Sequence, residues 1–162
     1  PSPVFDGAVG IDVDPIARLM ALTAPEEDVA LEISRRLRLS NAVRDRMTAA
    51  ARARADTALD MTRPAARAAI YRHGGQAVAD ALRRRLAEQP AGETDTRRLL
   101  AIAESWNPPR LPVGGRELAR LGVPPGPETG RLLRAFESGW IADDFPTEGH
   151  AERLAALIAA RD

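Results

Sequence analysis

The side chains with most chemistry to offer are arginines set among glycines and prolines, in Leu111-Pro-Val-Gly-Gly-Arg-Glu-Leu-Ala-Arg-Leu-Gly-Val-Pro-Pro-Gly-Pro-Glu-Thr-Gly130 and the Arg131-Leu-Leu-Arg134 that follows. The spacing predicts a short helix over 115–121, a stop at Gly122, a rigid Pro-Pro-Gly-Pro turn and a second helix from Pro127 to about Ile141. A helix N-terminus carries unpaired backbone N–H groups and a positive dipole end, so it attracts anions. Pro124, Pro125 and Pro127 fix the approach, and Gly126 leaves those N–H groups unobstructed. Arg131 and Arg134, three residues apart, share a face beside them. Arg116 lies on the preceding helix, and Gly130 admits either RNA or that helix. This chemistry suits a nucleic-acid phosphate, with Arg116, Gly126, Arg131 and Arg134 as candidate contacts.

A second set lies upstream. The formal net charge is zero, but it is patterned: residues 6–32 hold one arginine and seven acids, whereas residues 35–85 hold thirteen arginines against four acids. A basic middle with acidic flanks sets the local field that a polyanion meets. Arg44 and Arg52 fall on one face of an expected helix, and Arg63, Arg67 and Arg72 follow; these five complete the candidate RNA-binding set. The alternative is that they are solvated helix faces. Asp80, Arg84 and Glu88 have i, i+4, i+8 spacing, which reads as an ion pair within one helix. Every basic residue is Arg, with no Lys.

Catalytic chemistry is sparse. His73 and His150 are the only histidines, each beside a glycine at an expected helix edge, as capping or surface residues are. No serine sits in a nucleophile elbow, and Gly74-Gly75 and Gly114-Gly115 lack the ending of a phosphate loop. Asp12-Val-Asp14 could hold a metal pair on a strand, but Asp14 precedes Pro15 where a helix opens, so capping is its expected role. With no cysteine, disulfides, thiol catalysis and zinc–thiolate sites are excluded. No catalytic and no metal-binding residue is assigned. No apolar run is long enough for a membrane span and no signal peptide is seen, so a cytoplasmic protein without a membrane partner is expected. The chain opens on Pro1, as a piece of a longer protein would.

The elements that must position these residues are all helical. Alanine is abundant, β-branched and aromatic residues are few, and no useful strand alternation occurs. Asp14-Pro15 opens a helix to Leu22. Thr23-Ala-Pro-Glu26 forms a capping box for a second, on Val29, Ile33 and Leu37. Ser40 caps a third from Asn41 to about Asp56, on Val43, Met47, Ala50 and Ala51. Thr62-Arg-Pro64 opens a fourth, with Ala66, Ala69 and Ile70 inward and Gly74 ending it; a fifth runs from Gly75 to Ala87. Gln89-Pro-Ala-Gly-Glu93 is the clearest break, after which Thr94 or Asp95 caps a sixth helix to Trp106. Beyond the hairpin helices, whose second buries Leu133, Phe136 and Trp140, Thr147 opens a last one to Ile158. The expected fold is an all-α array of eight to nine helices with no sheet, divided into a body-like region 1–90 with a basic face and a tail-like region 91–162 with the Gly/Pro-rich hairpin.

Three segments, Leu37-Arg-Leu-Ser-Asn-Ala-Val-Arg-Asp-Arg46, Ala69-Ile-Tyr-Arg-His-Gly74 and above all Gly115 to Gly130, resemble the C-terminal half of bacterial tRNA nucleotidyltransferases, the CCA-adding enzymes grouped with bacterial poly(A) polymerases. The resemblance covers about residues 30–160 and is most specific in the last segment. It implies an all-α body and tail that grip the acceptor and TΨC arms of tRNA. Catalysis, with Mg2+ and ATP or CTP, belongs in that family to an N-terminal head and a neck template. This chain has neither a Gly-Ser followed by an Asp-x-Asp on a strand nor the Glu-Asp-x-x-Arg template, since Glu27-Asp28-Val-Ala-Leu31 lacks the arginine. The resemblance therefore implies a tRNA-binding portion, inactive alone and holding no cofactor itself. A helix-hairpin-helix DNA-binding domain and a helical protein-interaction scaffold are the alternatives.

Overall fold

The computed structural model describes residues 14–89 and 93–160. Among these residues there are nine α-helices and no strand: α1 (Pro15–Ala21), α2 (Glu27–Arg36), α3 (Asn41–Ala53), α4 (Arg63–His73), α5 (Gly75–Glu88), α6 (Glu93–Ser105), α7 (Gly115–Arg120), α8 (Pro127–Ala142) and α9 (His150–Ala159). The fold is all-α. No described helix is long and apolar enough to cross a membrane.

The chain divides into two compact units, Pro1–Pro108 and Pro109–Asp162. The Gln89–Glu93 break joins two helices of the first unit, α5 and α6, which pack on one another. The units part at the Pro108–Pro109 step, shortly after α6 ends at Ser105.

In the first unit α5 is central, packed by α1, α3, α4 and α6. Residues 77–82 are buried without interruption, so α5 has little polar face of its own. Its neighbours present alanines (Ala53, Ala66, Ala69 and Ala103 are all buried), which bring the helix axes close. Gly74 and Gly75 make this possible. Gly74 has φ +84° and ψ 151°, ending α4 and starting α5 with no intervening loop. A Cβ on Gly75 would lie 2.2 Å from the carbonyl oxygen of Ala103, so α6 backbone occupies the space a side chain would need. Met20, Ala30, Met47 and Ala50 form a second apolar cluster joining α1, α2 and α3.

Several starts fall where the sequence puts them. Asp14 Oδ1 accepts from the N–H groups of Ile16 and Ala17, Ser40 Oγ from Val43 N–H, and Thr62 Oγ1 from Ala65 N–H. Three starts differ. Thr23 does not cap α2; its hydroxyl donates to the Met20 carbonyl at the end of α1, and α2 begins after Glu26 without a side-chain cap. Proline at position 25 extends the chain there, delaying the helix. Thr94 and Asp95 lie inside α6, which opens at Glu93, and Thr147 precedes α9, whose cap is the left-handed Gly149 (φ +74°). Leu37, expected inward, is 57% exposed, because α2 buries Ala30 and Ser34 instead. Asp12 lies outside the described residues.

The second unit packs α7 and α9 on α8. α8 buries Leu132, Phe136, Trp140 and Ile141; Leu133, expected in the stripe, is only half-buried. At its end Asp144 (φ +56°) and Phe145 (φ +61°) both take the left-handed region. Phe145 is held there by burial against Trp140, ring centroids 5.0 Å apart and edge-on, and Trp140 Nε1 donates to the Pro146 carbonyl at 2.8 Å.

Candidate nucleic-acid interface

The α7–α8 hairpin forms as its residues require. Glu117 accepts the Gly114 N–H at 2.9 Å, and the N–H groups of Glu117 itself and of Gly114 hold its carboxyl below the ordinary carboxylate value. Gly122, at φ +81°, ends α7; the Val123 N–H returns to the Leu118 carbonyl at 3.0 Å, and both side chains are buried. Pro124 and Pro125 then carry the chain out to Gly126, the cap of α8, which offers no side chain to the helix's first N–H groups, and Pro127 opens the helix. Thr129 Oγ1 donates to the Pro124 carbonyl at 3.0 Å, locking the turn to α8. Gly115 faces Thr129, since a Cβ there would lie 3.7 Å from Thr129 Cγ2.

Gly126 is exposed, with nothing within 4 Å of where a Cβ would be. Arg131 and Arg134 are both exposed, opposite the Leu132–Phe136–Trp140 stripe. Arg131 is tied to Glu128 by two hydrogen bonds, 3.1 and 2.7 Å, which raises its already high pKa. Arg134 leans back over Gly130: a Cβ there would lie 3.4 Å from its Nη1. Gly130 thus makes room for a guanidinium, not for α7. Arg116 and Arg134 are exposed; Arg116 interacts electrostatically with Glu117 but is not hydrogen-bonded to it, and Arg134 has no hydrogen-bond or ion-pair partner among the described residues. Residues 109–134 carry five arginines against two glutamates.

The first unit treats its arginines differently. Arg44 binds Asp45 (2.9 and 2.8 Å) and the Asn41 amide oxygen (3.1 Å). Arg52 holds Glu27 of α2 in a two-pronged pair, lowering that carboxyl's pKa. Arg72 is 3.7 Å from Asp56, whose carboxylate also meets His73 at 2.8 Å. Arg67 lies over the Trp106 ring, and Arg63 is exposed without a partner among the described residues. Arg84 pairs with Glu88 as its spacing predicts, and additionally donates to the Thr23 carbonyl; burial lowers its pKa. Arg83 binds Glu104 at 2.6 Å, and Arg85 donates to the Arg54 carbonyl at 2.9 Å. The basic middle is therefore largely wired into links within the first unit, and of its five candidates Arg44, Arg52 and Arg72 lie against carboxylates.

Sequence spacing missed Arg46. Its guanidinium binds Asp80 through Nε (2.7 Å) and Nη2 (2.9 Å), and Nη2 also reaches Asp14. Asp80 is 2% exposed and accepts further bonds from Gln76 and Arg83. The available signal was an aspartate inside an otherwise apolar run, Ala77–Leu82, which demands a cationic partner.

No family model, curated protein or solved structure matches this chain. Among the described residues no group of His, Cys, Asp and Glu is placed to hold a metal ion.

Proposed function

We propose that this chain binds RNA, as the helical part of a tRNA nucleotidyltransferase that holds the acceptor and TΨC arm while a catalytic head outside these residues adds nucleotides to the 3′ end. Mg2+ and ATP or CTP would be bound by that head. The observation that carries the reading is the α7–α8 hairpin. A proline-fixed turn joins α7, which carries the exposed Arg116, to α8, which starts without a side-chain cap and carries the exposed Arg134. Paired RNA suits such a surface, because its deep major groove hides the bases and leaves shape and phosphates to be recognised. The resemblance of Gly115–Gly130 to that family supports the same partner.

The test is binding of an acceptor-arm RNA hairpin over a salt series, wild type against the triple variant Arg116→Ala, Arg131→Ala, Arg134→Ala. Weaker binding is expected, with the slope of log affinity against log salt flattened by roughly 0.7–0.9 for each phosphate that is no longer neutralised. All three residues are exposed, so helical content should be unchanged. Equal affinity and slope would remove the hairpin as an RNA site. The helix-hairpin-helix alternative rests on the same α7–turn–α8 geometry and predicts preference for a DNA duplex of the same sequence.

A further inference from the structure

Trp106 follows the last residue of α6 and is half-buried, its inner part packed on the core of the first unit. The Arg67 guanidinium lies over its ring, 5.3 Å from the centroid, within the range of a cation–π contact. Arg63 stands one turn earlier on the same face of α4, exposed and without a described partner. α4 and α6 pack together, so Arg67 and Trp106 meet in their seam, with Arg63 one turn along α4 from it. A guanidinium already stacked on an aromatic ring is a flat, weakly hydrated cationic surface, and little further ordering is needed to use it.

We propose that Arg67 and Trp106 form a stacking platform for an unpaired RNA nucleotide, with Arg63 on its phosphate. Every base has a π face, so such a platform is tolerant of sequence but demands an unstacked base. The inference rests on the reading that the chain binds RNA, and it adds the ligand class of a separate place. The platform takes single strands, whereas the hairpin takes paired RNA.

The full chain is titrated with single-stranded hexa-adenylate and, separately, with a fully paired RNA duplex, following tryptophan emission. Trp140, at 2% exposure, supplies a constant background. Hexa-adenylate should quench emission, the duplex should not, and Trp106→Leu should abolish the quench. Arg67→Lys, which keeps charge but loses the plane, should weaken hexa-adenylate binding about tenfold with duplex affinity unchanged. Arg63→Ala, at an exposed position, should weaken it and flatten its salt slope by about 0.7. Absence of a quench, equal quenching by duplex, or wild-type hexa-adenylate binding by Arg67→Lys and Arg63→Ala would overturn the platform. Duplex binding that survives those results leaves the hairpin reading standing. Loss of duplex binding alone, with the quench intact, would sink the hairpin and not the platform.

Discussion

Arg46 on α3 and Asp80 on α5 face each other in a two-pronged ion pair, Nε to Oδ2 at 2.7 Å and Nη2 to Oδ1 at 2.9 Å. The Asp80 side chain is fully buried while that of Arg46 keeps about a quarter of its surface. Removing Arg46 leaves the buried Asp80 carboxylate with only Gln76 and the longer Arg83 contact, at 3.4 Å, to hold it. Arg46→Met should therefore lower its unfolding free energy by about 3 kcal/mol. Arg46→Met with Asp80→Leu should cost less than the two single changes together, and urea unfolding of the four proteins measures the difference.

The same guanidinium reaches Asp14, tying the start of α1 to α3. Burial pushes the Asp14 carboxyl up, but Arg46 and the N–H groups of Ile16 and Ala17 outweigh it, leaving the value below the ordinary 3.8. A depressed folded value means that the unfolded chain takes up the proton first. The contribution is present above pH 3.8 and is lost as pH falls through the lower folded value. Asp14→Asn should flatten the fall in stability across that acid window, read by urea midpoints at successive pH values.

Gly75 faces the Ala103 carbonyl where a methyl group would lie 2.2 Å from oxygen. The obstacle is backbone, which cannot swing aside, so Gly75→Ala should force α5 and α6 apart. A destabilisation of about 3 kcal/mol is expected. Gly74→Ala has open space but the wrong φ, and should cost about 1–2 kcal/mol. Thermal unfolding of the two variants checks the order.

Arg38 ends α2 in the left-handed region at φ +51°, with the Leu39 N–H returned to the Ser34 carbonyl at 3.0 Å. Glycine fills this position without steric penalty. Arg38→Gly should raise stability by up to about 1 kcal/mol, visible as a higher urea midpoint.

The arginines should rank by what they already hold. Arg44 and Arg52 are bound to Asp45 and Glu27, so a phosphate must displace a carboxylate to reach them. Arg44→Ala and Arg52→Ala should change RNA affinity less than Arg134→Ala does, in filter binding at fixed salt.

The helices themselves were legible because they depend on neighbours in sequence. Asp14, Ser40 and Thr62 cap what they precede, Gly122 stops α7, and the Phe136 and Trp140 stripe buries as its spacing requires. The hairpin was legible for the same reason: prolines and glycines set backbone angles locally. What sequence could not decide was partnership between distant residues. The basic middle reads as a cationic face, yet Arg46, Arg52, Arg54 and Arg83 find carboxylates 21 to 34 residues away. Gly75 reads as a helix start until Ala103 is placed against it. Charge along a chain is a property of composition. Charge left for a ligand is decided only when tertiary packing has brought each arginine to, or kept it from, an acid.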